Sequence, residues 1–161
     1  MTETQRIADQ LKRAFHGEAW SGPSVKEVLD GVTAEMAAQR TLQEAHTIWE
    51  LVLHITAWTD IVRRRAGGET VTVTPEMNFP PVNDRAEGAW QETLKRLEEA
   101  EAALRHSILN ISESRLDDII PPTGDSLYVL FHGAVQHSLY HAAQIILMKR
   151  LLTTLGKTPA T

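Results

Sequence analysis

SLYVLFHGAVQHSLYHAAQIILMKRLL, residues 126–152, decides the fold. It holds no proline and one glycine, Gly133, so the spacing predicts a single long helix near the C-terminus. Leu127, Leu130, Phe131, Ala134, Ile145, Met148 and Leu152 recur at helical spacing. Between Ala134 and Ile145 that stripe runs through His137 and His141, so two imidazoles interrupt a face that should be buried. Val129, Val135, Leu139 and Ile146 fall away from the histidine-bearing face. A helix apolar nearly all round is either central or covered by a partner. A homodimer through this helix is therefore expected.

Working outward, three more segments carry helical periods. Ile7, Leu11 and Phe15 repeat behind the capping box Thr2-Glu3-Thr4-Gln5, which predicts a first helix over 2–15. Gly17 and Gly22-Pro23 break it, and Trp20 between them is expected to plug the core where the chain turns. Ser24-Val25-Lys26-Glu27 opens a short helix ending at Gly31, and 33–40 reads as another. A second long helix starts behind the capping box Thr47-Ile48-Trp49-Glu50 and stops at Gly67-Gly68. Its stripe is Ile48, Leu51, Val52, Ile55, Trp58 and Val62, with His54 beside it. Arg63, Arg64 and Arg65 in its last turn complement the negative end of the helix dipole.

Residues 67–83 read as a loop. The alternation in 70–74 resembles a strand, but it has no second strand to pair with, and Pro75, Pro80 and Pro81 point to irregular structure. A loop this long in a compact domain is often functional, and this one is placed to wall a pocket. Asp84-Arg85-Ala86-Glu87 is expected to cap a third long helix to about Leu109, burying Trp90, Leu94, Leu97, Leu104 and Ile108. Its acidic runs read as a solvated face. A second loop, 110–125, leads into the last helix. Four long helices without a sheet make an all-α, four-helix bundle, one domain over 1–156 with short extra helices and a frayed tail at 157–161.

Composition narrows the function. The 161 residues carry a formal charge of −5, which argues against nucleic acid. With no cysteine, disulfides, thiolate metal sites and a Cys nucleophile are excluded. The opening MTETQRIADQLKRAF lacks the apolar core of a signal peptide, and no apolar run approaches a membrane span. A cytoplasmic location follows as the expectation.

His137 and His141 stand at i, i+4, which puts them on one face of a helix. A divalent metal bridges such a pair, and His54 on another helix is the candidate third ligand, in the way bundles build sites from facing helices. The spacing alone is a weak signal, since chance yields it in any helical chain with seven histidines. Glu50, four residues before His54, either orients that imidazole or belongs to the capping box alone. Gln144, three after His141, either touches bound water or substrate or is a packing amide. Trp58 either lines a pocket or is plain core. Tyr140 is read as packing, and His16, His46, His106 and His132 as structural or exposed.

TIWELVLHITAWTD, followed late in the chain by FHGAVQHSLYHAAQI, resembles the DinB/YfiT-like family of metalloenzymes, and GEAWSGPSVKEVLDGV is similar to that family's opening segment. The resemblance implies a helical bundle with one divalent metal on His54, His137 and His141. Ala143 stands where the family often has Gly before Gln144. Zn or Ni suits three imidazoles, with Mn or Fe as alternatives. The resemblance also implies transfer of a low-molecular-weight thiol to an electrophilic substrate, the thiol binding the metal. Two other readings stay open: a non-catalytic metal-binding or stress-associated bundle, and a metal-dependent hydrolase using bound water. A fourth protein ligand, or a site closed to solvent, would favour the non-catalytic role.

Overall fold

A computed structural model describes residues 1–155; the expected tail at 157–161 lies outside the described residues. The described residues are all-α apart from one short hairpin. Its four long helices are α1 (Glu3–His16), α4 (Ile48–Ala66), α6 (Glu87–Asn110) and α7 (Leu127–Leu155). Three short helices, α2 (Val25–Leu29), α3 (Ala34–Ala38) and α5 (Pro75–Asn78), lie in the connections. Around the bundle α1 packs on α6, α6 on α4, α4 on α7 and α7 on α1.

Local capping explains most helix starts. The Thr2, Ser24 and Thr47 side chains each accept the backbone N–H three residues on, and Gln5, Glu27 and Glu50 reach back to the capping residue's N–H. Thr33 caps α3 in the same way without the reciprocal arm. Asp84 does not cap α6. The helix begins after Ala86, Asp84 Oδ1 accepts from Ala86 N–H instead, and Glu87 Oε2 accepts from Ala34 N–H, tying α6 to α3.

Several expectations are corrected. Trp20 does not plug the core; it is 100% exposed. Gly17, Glu18 and Gly22 all adopt positive φ around it, which throws that loop outward. The core position belongs to Trp90, fully buried, whose Nε1–H donates to Val32 O at 2.8 Å and whose ring tilts against Trp49 at 5.1 Å. The loop over 67–83 contains a helix, because Thr74 caps it and Pro75 sits in its first turn, where no backbone donor is needed. Residues 119–126 close an antiparallel hairpin, Ile119 opposite Ser126 and Ile120 opposite Asp125, so the chain is not free of sheet. Glu101 on α6 is buried rather than solvated, held between Arg105 at 3.1 Å and His16 at 3.2 Å. Arg65 is also buried. Its Nη2–H donates to Val71 O at 2.8 Å, and its guanidinium lies over the Trp58 ring.

The apolar interior falls into two clusters. One joins the C-terminal half of α7 (Ala142, Ile145, Met148, Leu152) to the start of α4, α2, α3 and Trp90. The other joins the N-terminal half of α7 (Leu127, Phe131, Ala134) to Ile7, Leu11, Val62, Leu104 and Ile108. On α7 the seam between the clusters falls between Ala134 and Ala142, at His137 and His141, and on α4 it falls between Ile55 and Val62, just after His54. The interrupted stripe of α7 is thus the boundary between two cores. Tyr128, Val129, Tyr140, Leu147 and Leu151 remain exposed along the same helix.

Removing the Trp90 side chain should therefore cost about 3–5 kcal/mol, as large-to-small changes of buried aromatics do. Trp20→Ala should stay within about 0.5 kcal/mol. Urea unfolding of the two variants beside the wild type checks this; equal destabilisation would contradict the assigned core.

Candidate metal centre

His54 comes from the middle of α4, and His137 and His141 come from successive turns of α7. The α4–α7 packing brings the three rings together. His54 Nε2 lies 2.9 Å from His137 Nε2, and His141 Nε2 lies 3.1 Å from the same atom. One ligating atom from each ring falls within 4.8 Å of the others. Nitrogens bound at about 2.0–2.1 Å to one ion stand about 2.9 Å apart at right angles and about 3.4 Å apart at tetrahedral angles. The two separations from His137 Nε2 belong to that range.

The outer nitrogens fix the tautomers. His54 Nδ1 lies 2.6 Å from the Asn78 carbonyl, which only accepts, so Nδ1 carries the proton and Nε2 keeps its lone pair. His141 Nδ1 lies 2.6 Å from Gln144 Oε1, with the same consequence. Two lone pairs then face His137 Nε2. A neutral His137 donates one proton at most, so at least one contact sets lone pair against lone pair. A cation at the centre removes that conflict, and the donor set fits a divalent metal.

Protonation does not resolve it as well. Burial pushes the His137 imidazole down to about 4, helped by His141 and His54 beside it. Burial likewise lowers His54 and His141, against the raising effect of their Asn78 and Gln144 hydrogen bonds. At neutral pH the three rings are neutral and could serve as ligands.

The rings are braced from outside. Phe79 lies flat on His54, with ring centroids 4.1 Å apart and planes within 9°. His46 lies flat on the other face of that stack, 3.7 Å from Phe79. Trp58 Nε1–H donates to Asn78 Oδ1 at 2.8 Å, so the side chain of Asn78 holds Trp58 while its carbonyl holds His54. Glu50 is engaged elsewhere: it closes the capping box of α4, pairs with Arg40 at 2.9 Å and lies 3.4 Å from His46. The orienting acceptor for His54 is the Asn78 carbonyl, which sequence reasoning missed because any residue type supplies a carbonyl.

A cleft of about 470 Å³ opens onto the rings. Trp58, Thr59 and Val62 of α4 form one wall, and Val129, Leu130, Gly133, Ala134 and Tyr140 of α7 the other. Tyr140, read from sequence as packing, meets His141 edge-on at 5.0 Å and lines this cleft. Among the described residues no fourth His, Cys, Asp or Glu joins the three imidazoles, and the site reaches solvent.

A model of the DinB superfamily matches residues 20–145, which span both histidine-bearing helices up to Ile145. The chain belongs to the DinB superfamily. This DinB protein also shares its fold with the crystal structure of a conserved protein from Enterococcus faecalis. The two align with a TM-score of 0.70 at 18% identity, over 96% of this chain and 99% of that one. No curated protein matches it. None of its described helices is long and apolar enough to cross a membrane.

The depressed imidazole of His137 sets a pH dependence for the metal-free protein. The folded state disfavours the proton that the unfolded chain accepts near 6.5, so this stability is full above 6.5 and is lost as pH falls toward about 4. Urea midpoints should fall between pH 7 and 5 in the wild type and fall less in His137→Ala. Parallel slopes would contradict the buried-neutral assignment.

Proposed function

We propose that this DinB protein is a divalent-metal enzyme that transfers a low-molecular-weight thiol to an electrophilic small molecule. One observation carries the reading: three imidazole lone pairs converge, with no fourth protein ligand among the described residues, at the wall of an open, largely apolar cleft. His54, His137 and His141 would hold the ion through Nε2, with Zn or Ni best suited to the donor set and Mn or Fe as alternatives. When bound, such an ion supplies positive charge that favours the anionic form of a ligand in its open position.

The protein's own groups do the rest. Asn78 and Gln144 keep the Nδ1 protons of His54 and His141, so their Nε2 lone pairs stay turned inward. Trp58, Val62, Leu130 and Ala134 offer apolar surface to the electrophile and displace water from it. In the net reaction a sulfur–carbon bond forms as the bond from carbon to the leaving group breaks. The leaving group takes the electron pair, and the thiol proton passes to solvent. The chain has no cysteine of its own, so the sulfur comes from the cosubstrate.

Opening to solvent and the lack of a fourth ligand both favour catalysis over a purely structural ion. Pairing of two copies through α7 belongs to the same proposal, supported by exposed Leu147 and Leu151. Sedimentation at twice the 18.0 kDa chain mass is the expected result, and a monomer would remove that part.

Reconstitution with Zn, Ni, Mn or Fe, followed by a screen of thiols against electrophiles, tests the reaction. The wild type should hold one ion and form thioether only with thiol present. Gln144→Leu should bind the ion about 10–100-fold more weakly, as loss of an orienting partner does. His137→Ala should lose the ion and the activity. Turnover that needs no thiol would replace transfer with hydrolysis, and absence of a stoichiometric ion would remove the enzyme reading.

A further inference from the structure

The cleft beside the imidazoles is polarised along its length. Among the described residues, Asp125 is the one Asp, Glu, Lys or Arg that lines it. Tyr140 and the three rings stand at one end. Asp125 precedes α7 and stands at the other; Leu127, where the helix begins, is ten residues before His137, or about 15 Å along the helix axis at 1.5 Å per residue. Between them lie Trp58, Val62, Val129, Leu130 and Ala134.

The Asp125 carboxylate has no structural task. The start of α7 is capped by Ser126 Oγ, which accepts from Val129 N–H at 3.3 Å. The hairpin is held by backbone pairing, and Asp125 contributes its own N–H, donated to Thr123 Oγ1. Among the described residues no Lys, Arg or His pairs with it; the same holds for Asp30, Asp84 and Asp117, but of these four only Asp125 lines the cleft. Arg65, the buried cation of α4, does not line the cleft; it lies over the Trp58 ring and spends a donor on Val71 O. A spare carboxylate at the end of an apolar cleft is a receptor for a cation.

We propose that the cleft is a two-ended receptor, in which Asp125 takes an ammonium group on the same ligand whose sulfur is directed to the histidine end. The cosubstrate class is then an extended aminothiol, with about 10 Å or more of apolar or neutral chain between its two ends once side-chain reach is allowed for. This inference rests on the thiol reading above and adds the group recognised at the far end. Asp125 acts as a specificity residue, not as a ligand of the ion.

The test uses Co(II)-loaded full-length protein and the thiolate-to-cobalt charge-transfer band as readout. Aminooctanethiol, octanethiol and mercaptooctanoate serve as probes of matched length. At low salt the wild type should bind the aminothiol about three- to fivefold more tightly than the neutral thiol, the effect of one exposed ion pair, and the mercaptoacid most weakly. High salt should shrink the difference. Asp125→Asn should abolish the preference and Asp125→Lys should invert it, with both variants still showing the band. A preference unchanged by these substitutions, or no preference in the wild type, would overturn the inference and leave the thiol reading standing. No band with any of the three thiols would overturn both.

Discussion

Two short hydrogen bonds on the outside of the site govern what happens inside it. The Asn78 carbonyl and the Gln144 amide oxygen each take an Nδ1–H, one from His54 and one from His141. Each thereby turns an Nε2 lone pair toward His137. The inner cluster cannot satisfy itself with protons, because it has more lone pairs than donors and because burial resists charging the rings. A cation shared by the three nitrogens would relieve that conflict. The bundle, the seam between its two cores and the loop after α4 all serve to hold that arrangement.

The seam explains why the histidines are tolerated in the core. Each apolar cluster is complete on its own side: Phe131, Leu127 and Ile108 close one, Trp49, Trp90 and Ile145 the other. His137 and His141 occupy the junction on α7, His54 faces them from α4, and the cleft brings solvent to all three. The loop from 67 to 83 completes the site from the other flank. Its short helix delivers Asn78 and Phe79 together, one to orient His54 and one to lie flat against it. The Arg65 contact to Val71 O and the Trp58 contact to Asn78 Oδ1 anchor that loop at both ends.

Much of this was legible in the residues. Helix positions followed from capping boxes at Thr2, Ser24 and Thr47, because those signals are made within three residues and need no tertiary context. The histidine pair was visible as an interruption of the α7 stripe, and the choice of His54 came from its place beside a core face together with family resemblance. What failed depended on distant partners. Trp20 looked like a core residue by chemistry alone, but the positive-φ backbone around it turns it to solvent. Asp84 matched a capping pattern, yet Glu87 reaches across to Ala34 and the helix starts later. Glu101 reads as part of a solvated acidic run by chemistry, yet it stands four residues after Leu97 and three before Leu104, on the buried face, where it meets His16 of α1. Asn78 carried no side-chain signal for its decisive contact, since a backbone carbonyl makes it.

X-ray absorption spectroscopy of the metal-loaded protein tests directly whether three imidazole nitrogens share one ion. The predicted spectrum has three imidazole nitrogens at about 2.0–2.1 Å, with the remaining positions filled by exchangeable light atoms. Fewer than three imidazoles around the ion, or a further protein side chain closing the shell, would contradict it.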